Sequence, residues 1–394
     1  YWMGQLISQI GTWMQIVALP WFVLQLTNSA IAVGVVSALQ FFPILLVVLY
    51  AGIVVDRIPK RRLLLVTQSI SLGQALALAV LTGTGHIQLW HLYVLAVVLG
   101  FVNAFDLPAR QSFVLELVGR DNLVNAAGLS SLIFNGSRMI GPAIGGLIIA
   151  RWGIATCFLA NACSFLAVLV SLFFLRAGEF RSVPARRAEG SVLAQLSEGM
   201  RYLLSKSDLT IAVILLSGLG AFFFSTSSII PLIAQYSLHV QVTQFGLLVA
   251  AVGLGSLFAS LGLATAGRTS QRLLITSAAA FGLIYMALAF VPWFGAAFVL
   301  LACLGGSIQS FGTSVTSIFQ LGSPDHLRGR VMAVFTFLSN GIQPIGSLFA
   351  GFVTAAASIH LTIAIEASIC LIAVMLALVY RARIPAALPE IRVA

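Results

Sequence analysis

Charged residues are scarce in this chain, since only 8% of its 394 residues are Asp, Glu, Lys or Arg and 60% are hydrophobic. Soluble domains carry about a quarter charged residues, and the mean hydropathy here is +1.05. A soluble fold is therefore excluded. The net charge of +10 would suggest a nucleic-acid partner in a soluble protein. Here the cations lie in short connections between apolar segments and indicate membrane topology and contact with membrane lipids, so no nucleic-acid partner is predicted.

Residues that carry catalysis or hold metals are also rare. The sequence has no phosphate-binding glycine loop with its lysine, no His or Cys set at metal-ligand spacing, and no nucleophile paired with a base. These absences argue against an enzyme, a metal site, a cofactor and ATP hydrolysis by this chain. The cysteines stand singly in apolar segments and are interpreted as small core residues: Cys157, Cys163, Cys303 and Cys370.

Apolar stretches long enough to cross a bilayer, about 20 residues each, occur twelve times. Nearly all cations lie in every second connection and in the tail, and Arg151 is the one exception. Because Lys and Arg stay on the cytoplasmic side, both termini are predicted to be cytoplasmic, in a multi-pass protein of the cell inner membrane. Tyr1 and Trp2 already belong to an apolar run, so no targeting peptide can be judged. The basic connections are predicted at 56–62, 110–121, 176–206, 268–272 and 325–330.

The polar stretch 177–206 divides the spans six and six. We predict an N-terminal six-helix bundle over 1–176, a cytoplasmic linker with an amphipathic helix over 177–206, a C-terminal six-helix bundle over 207–381, and a cytoplasmic tail over 382–394. Residues 51–65 align without a gap on 261–275, which matches Gly52 with Gly262. Such a repeat is typical of carriers. The predicted fold is an all-α polytopic membrane protein whose twelve transmembrane helices form two pseudo-symmetric six-helix bundles.

The first basic connection holds one aspartate beside a dense cationic cluster. It resembles the loop motif of the major facilitator superfamily, with Pro59 where many members have glycine. The resemblance covers essentially the whole chain. It implies a gating role in which Asp56 pairs with a cation or a helix end in only one of two conformations. The alternative is a plain topology signal. The residues of this gating motif are Gly52, Asp56, Arg57, Lys60, Arg61 and Arg62.

The fifth span carries a pattern of small residues around one proline that is similar to the motif associated with antiporters. Small residues let helices approach closely, and Pro142 frees a carbonyl that can bend the span. The packing either seals one face against leakage or is ordinary glycine-mediated packing. Residues 106–111 and 135–146 are closest to the branch containing macrolide-efflux and enterobactin-export proteins, which implies export. The antiporter-like residues are Gly128, Ser137, Gly141, Pro142, Gly145 and Gly146.

The same resemblance implies a midplane cavity lined by the first, fourth, seventh and tenth spans. Phenylalanines there, including Phe223, form an apolar wall suited to large amphiphilic ligands. For any one polar residue the alternative is that it faces another helix. The candidates for the substrate or proton pathway, which also include residues of the fifth span, are Gln9, Thr12, Gln15, Asn103, Asp106, Arg110, Asn135, Arg138, Phe223, Ser225, Gln309 and Thr313.

Ionisable residues inside spans are costly and are taken as functional candidates. Arg138, near Asn135, either pairs with Asp106, and so acts in gating, or attracts an anionic substrate group. Asp106 either carries the coupling proton or pairs with Lys60 or Arg110. For Glu366 a structural hydrogen bond and proton carriage both stay open.

These observations predict a proton-driven exporter of a hydrophobic or amphiphilic small molecule, of the drug, macrolide or siderophore type, with a role in drug resistance. A monomer suffices for this architecture. One alternative is a transporter or flippase of a lipid-like native amphiphile, which would open toward the bilayer. Another is a membrane sensor or scaffold that kept the fold and lost turnover.

Overall fold

The computed structural model describes residues 1–119, 122–175, 192–224, 226–266, 270–324 and 327–383, without the side chains of 45, 48–53, 56, 124, 192–195, 223, 224, 227, 266 and 340. Every regular element in this part of the chain is helical. The first half holds α1 (Trp2–Thr27), α2 (Ala30–Arg57), α3 (Lys60–Gly83), α4 (Leu89–Val118), α5 (Leu123–Trp152) and α6 (Ile154–Phe174). The second half holds α7 (Val192–Ser205), α8 (Ser207–Phe224), α9 (Thr226–Leu232), α10 (Val242–Ala266), α11 (Gln271–Leu288), α12 (Phe294–Leu321), α13 (Arg328–Thr336), α14 (Gln343–Ala356) and α15 (Ile359–Ala382).

Ten candidate membrane spans occur among the described residues, where α7 and α8 also form an apolar pair bent by 119°. Large apolar side chains such as Phe174 and Met375 point outward, as expected where lipid replaces water. The all-α polytopic prediction is confirmed. The predicted spans correspond in order to α1 to α6, α8 with α9, α10, α11, α12, α13 with α14, and α15.

The predicted connection at 56–62 is much shorter in the structure. Helix α2 continues through Arg57 and α3 begins at Lys60. Only Ile58 and Pro59 separate them. Proline disfavours helical backbone in the residue before it, and Ile58 is extended at φ −106° and ψ 140°. The charged residues of the gating motif therefore lie on helix ends.

The predicted connection at 110–121 is also mostly helical. Helix α4 continues nine residues beyond the expected end at 109 and reaches Val118. Phe113 in this extension is fully buried, so tertiary packing extends the helix past the polar residues that suggested a loop. Gly119 then ends it at φ 74°, a conformation that favours glycine.

The seventh and eleventh spans are each interrupted by a π-helical turn, at Ile233–Ser237 and at Phe337–Gly341. Pro231 lies two residues before the first turn, and Pro344 follows the second. Proline lacks the N–H that the α-helical ladder requires, which favours local rearrangement at such points. The continuous apolar pattern of these spans concealed both interruptions.

The chain forms two compact units. Unit 1 comprises Tyr1–Ala188 and Gln241–Ala250, and unit 2 comprises Glu189–Val240 and Ala251–Ala394. In unit 1, α1 packs against α5 and α6, and α3 packs against α4 and α6. In unit 2, α11 packs against α12 and α15, and α7 packs against α13. Cys157 and Cys370 are buried as expected, whereas Cys163 and Cys303 are exposed and correct the core interpretation.

Candidate functional site

A cluster of polar side chains in unit 1 surrounds Asp106 of α4, which is only 6% exposed. Thr67 of α3 donates to Asp106 Oδ1 at 2.7 Å, and Gln68 Nε2 donates to the same oxygen at 2.8 Å. Arg110, one turn along α4, donates to Asp106 Oδ2 through Nε at 3.0 Å and forms an ion pair with it. The carboxylate is thus held by neutral donors from α3 and by a cation from its own helix.

This Asp106 cluster extends to α1. Arg110 also donates to Gln5 Oε1, and Gln5 Nε2 donates to the Tyr1 hydroxyl at 3.0 Å. The predicted pairing of Asp106 with Arg110 is present, and no ion pair joins Asp106 to Arg138 within the described residues. Three helices of unit 1 are therefore linked through one buried carboxylate.

Arg138 lies on α5 and contacts an aromatic ring. Its guanidinium carbon is 5.4 Å from the ring centroid of Trp13 on α1, a cation–π distance. Asn135, one turn earlier, is 4% exposed, and its Nδ2 donates to the Ser131 carbonyl at 2.9 Å. The Asn135 Oδ1 atom has no hydrogen-bond partner, and the same holds for the hydroxyl of buried Ser137.

Part of the antiporter-like motif forms a close helix contact. A Cβ placed on Gly141 would lie 2.7 Å from Trp13 Cβ and 2.8 Å from the Ile10 carbonyl oxygen, both on α1. A Cβ on Gly145 would lie 3.3 Å from Met14 Cα, and one on Gly146 would lie 3.2 Å from Gly246 Cα. Gly128 has open space around it. Close packing along α5 thus begins near Gly141 and continues toward Gly146.

Of the polar candidates on α1, Gln15 is fully engaged inside unit 1. Its Nε2 donates to Gln74 Oε1 at 3.1 Å, and its Oε1 accepts from Asn161 Nδ2 at 2.8 Å. Thr12 donates to the Ser8 carbonyl at 2.8 Å. Gln9 is half-buried, and Asn103 on α4 is exposed. Gln15 therefore links α1, α3 and α6, while Gln9 and Asn103 keep accessible surface.

The gating motif contains a helix cap that its sequence did not suggest. Arg61 donates to the carbonyls of Leu172 at 2.8 Å and Phe173 at 2.9 Å, in the last turn of α6. A cation at this position satisfies orphan carbonyls and complements the helix dipole. Arg57 and Arg62 are exposed and Lys60 is half-buried. Gly52 and Asp56 lie outside the positions whose side chains or surroundings the structure describes, so their predicted roles stay predictions.

In unit 2, the candidates Gln309 and Thr313 lie one turn apart on α12, and Gln309 Nε2 donates to Thr313 Oγ1 at 3.2 Å. Glu366 on α15 is fully buried, and its Oε2 accepts from the Tyr285 hydroxyl of α11 at 2.6 Å. The other carboxyl oxygen has no partner. Ser225 and the Phe223 side chain fall outside the described residues.

Comparison with known proteins assigns the family. A sequence profile described as "Transmembrane secretion effector" matches residues 1–390. The chain belongs to this family of the major facilitator superfamily. The family and its relatives are transporters, so the chain is a multi-pass transporter and not an enzyme.

Curated relatives of this major facilitator chain match it over most of its length. It is 31% identical over 370 residues to the multidrug efflux pump Tap of Mycobacterium tuberculosis, covering 91% of this chain and 87% of Tap. It is 27% identical over 347 residues to the staphyloferrin A transporter of Staphylococcus aureus, covering 86% and 85%. Macrolide efflux protein A of Streptococcus pyogenes is 20% identical, with coverage of 88% and 86%.

The fold of this major facilitator chain matches solved transporters. An auto-inhibited peptide transporter of the POT family superposes with a TM-score of 0.76, covering 98% of this chain and 96% of that one, at 12% identity. At that identity the likeness shows the fold alone. The prediction of the major facilitator fold is confirmed.

Several residues of the Asp106 cluster were missed by reading the sequence. Thr67 and Gln68 are adjacent polar residues in the apolar third span, and Gln5 is a polar residue in the apolar first span, which is the one sequence signal that could have identified them. Their convergence on Asp106 depends on how α1, α3 and α4 pack. The i,i+4 spacing of Asp106 and Arg110, by contrast, is readable directly on a helix.

Proposed function

We propose that this chain exports a hydrophobic or amphiphilic small molecule, of the drug or siderophore type, by alternating access in exchange for protons. The observation that carries the proposal is the match over 91% of the chain to a protein named a multidrug efflux pump. The match to the staphyloferrin A transporter supports including siderophores in the proposed substrate class. The proposed location is the cell inner membrane, with both termini cytoplasmic, and the proposed unit is a monomer among membrane lipids.

The Asp106 cluster is proposed as the coupling element. Its carboxylate is only 6% exposed and is bound by Arg110, Thr67 and Gln68, so a movement of α1, α3 or α4 would change its contacts. In this proposal Asp106 exchanges its proton when helix movement opens the pair with Arg110. Proton binding at Asp106 would then depend on the conformation, which is what exchange transport requires.

The gating motif and the α5 glycines are proposed to serve the conformational step. Arg61 joins the start of α3 to the end of α6, and in this proposal these two helix ends move together. Gly141 and Gly145 hold α5 closely against α1. In this proposal Asp56 biases the two-state equilibrium, and the packed α5 face limits leakage. Gln9, Thr12, Asn103, Gln309 and Thr313 are proposed substrate contacts.

The test is drug accumulation in cells that lack their own efflux pumps. Cells expressing the chain should hold less of at least one compound from a panel of macrolides, siderophores and hydrophobic dyes than cells with an empty vector. The Asp106→Asn variant at equal membrane abundance should restore accumulation to the empty-vector level. If no panel member is exported while fluorescent lipid analogues move between leaflets, the lipid-like substrate replaces the proposed class.

A further inference from the structure

Arg138 is a cation in the middle of α5 that has no anionic partner among the residues the structure describes. Within the described residues it has no hydrogen bond or ion pair, and its one recorded contact is the Trp13 ring at 5.4 Å. Two other arginines on unit 1 helices contrast with it. Arg110 is bound by Asp106 and Gln5, and Arg61 caps α6. Among the described residues, the charge of Arg138 is thus unmatched, whereas those of Arg110 and Arg61 are bound by acceptors.

The position of Arg138 makes this lack of a partner costly. It stands at the middle of the 30-residue helix α5, about 20 Å from either end at about 1.5 Å per residue. An arginine side chain cannot reach an interface from there by snorkelling. An arginine at the centre of a span is unfavourable on insertion scales. A residue retained at that cost points to a partner that is present only part of the time.

The surroundings of Arg138 suit an anion attached to an apolar body. Trp13 lies beside the guanidinium, and Phe134 packs on Trp13 edge to face at 5.5 Å. Gly141 brings α5 against the backbone of α1 at Trp13, which fixes the ring beside the cation. Asn135 is on the same helix face, three residues before Arg138, and its buried Oδ1 has no partner. That oxygen can accept one guanidinium N–H and leave the remaining donors for a ligand.

We infer that Arg138 and Trp13 form a subsite for the negatively charged group of an amphiphilic substrate, with a carboxylate as the fitting chemistry. A guanidinium binds a carboxylate through two parallel N–H donors. The Trp13 and Phe134 rings supply apolar surface for the adjoining part of the same molecule. Gln9, one turn before Trp13 on α1, is half-buried with accessible surface. The inference rests on the proposed export function and narrows its substrates to acidic amphiphiles.

The experiment compares an acid with its neutral ester. Binding of pyrenebutyrate and of pyrenebutyrate methyl ester is measured by equilibrium dialysis on the purified full chain in phosphatidylcholine nanodiscs, with empty nanodiscs subtracted. Neutral lipid removes anionic headgroups as competitors. The variants are Arg138→Gln, Arg138→Lys and, as a matched control, Arg151→Gln, which removes a cation from the exposed end of the same helix.

The native chain should bind the acid at least tenfold more tightly than the ester. Arg138→Gln should raise the Kd for the acid about tenfold or more and leave the ester unchanged. Arg138→Lys should fall between, since it keeps the charge and loses the paired donors. Arg151→Gln should match the native chain for both ligands. Unchanged ester binding in Arg138→Gln also shows that this variant is folded.

Three results would overturn the subsite. They are equal binding of acid and ester by the native chain, binding of neither, and an equal loss of both ligands in Arg138→Gln. The assay uses no ion gradient, so it is independent of turnover. Export of a neutral or cationic dye that persists in Arg138→Gln cells would leave the proposed function standing whatever the outcome for the subsite. If no compound is exported, the proposed export function is wrong, and the binding result for the subsite still stands.

Discussion

At the scale of single residues, the chain concentrates its buried charge in a few contacts. Asp106 accepts from Thr67 and Gln68 while paired with Arg110, and Glu366 has one donor, Tyr285, and one oxygen without a partner. A buried ion pair is strongly destabilised by removal of one member, because the other is left uncompensated. The two acids therefore differ in what their loss should do.

Asp106→Asn should destabilise the protein by about 3 kcal/mol, because Arg110 would lose its anion in a largely buried position. The double change Asp106→Asn with Arg110→Gln should recover most of that loss, since no unpaired charge remains. Thermal unfolding of purified protein in detergent measures both. Gln111→Ala, an exposed position on the same helix, is the control. A double variant no more stable than the single one would show that the pair does not act as a unit.

Residue-level chemistry was only partly readable from the sequence. The candidate pairing of Asp106 with Arg110 follows from one turn of helix. The engagement of Gln15 by Gln74 and Asn161 was not readable, because those partners come from α3 and α6. Arg61 was read as one member of a basic cluster, whereas the structure uses it to bind the carbonyls of Leu172 and Phe173. Contacts between residues far apart in the sequence depend on how the helices pack, and the local periodicity of the sequence does not predict that packing.

At the scale of elements, α5 packs closely against α1 in the candidate site. Gly141→Ala should lower the free energy of unfolding by about 1 to 3 kcal/mol. The added Cβ would lie 2.7 Å from Trp13 Cβ and 2.8 Å from the Ile10 carbonyl oxygen, which is too close. Gly128→Ala is the matched control on the same helix, with nothing within 4 Å of its Cβ. It should be neutral or slightly stabilising. Thermal unfolding that ranks Gly128→Ala below Gly141→Ala would contradict the assigned contact.

The stability of the last turn of α6 should depend on the cap formed by Arg61. Arg61→Ala should weaken the last turn of α6 by about 1 kcal/mol, because two carbonyls lose a charged donor. Hydrogen exchange of the final turn, measured by mass spectrometry, should then become faster. Arg62→Ala removes the same charge from an exposed neighbour and should leave exchange unchanged. Equal acceleration in both variants would indicate an effect of net charge and not of the cap.

Helix existence was predictable and helix ends were not. The apolar lengths identified the spans, since hydrocarbon thickness sets a minimum. Residues 56–57 and 110–118, which include the charged residues Arg57, Arg110 and Glu116, were assigned to connections, yet α2 and α4 include them. Polar residues can continue a helix once it leaves the hydrocarbon, and Phe113 anchors one such extension. The π-helical turns lie within apolar spans. They do not change the hydropathy of the sequence, so an apolar pattern cannot predict them.

At the scale of the whole molecule, the family membership and fold were accessible from sequence motifs, because the gating and glycine–proline motifs recur with their spacing. Substrate chemistry was not accessible in that way. It depends on which polar side chains have no hydrogen-bond or ionic partner after packing; among the described residues Arg138 has none, whereas Gln15 has two. The domain boundaries at 176, 206 and 381 stay predictions. The energy source also stays a proposal, and it is the part on which the transport account depends.

The most direct test of proton-driven export is substrate accumulation in inverted membrane vesicles with an imposed pH gradient. Acid-interior vesicles should accumulate a compound exported in the cell panel, and nigericin, which collapses the gradient, should abolish accumulation. Asp106→Asn should show no gradient-dependent uptake, whereas Glu366→Gln at equal abundance should retain it. Accumulation that is equal with and without the pH gradient would contradict proton exchange. Accumulation lost in Glu366→Gln and kept in Asp106→Asn would place the coupling acid on α15.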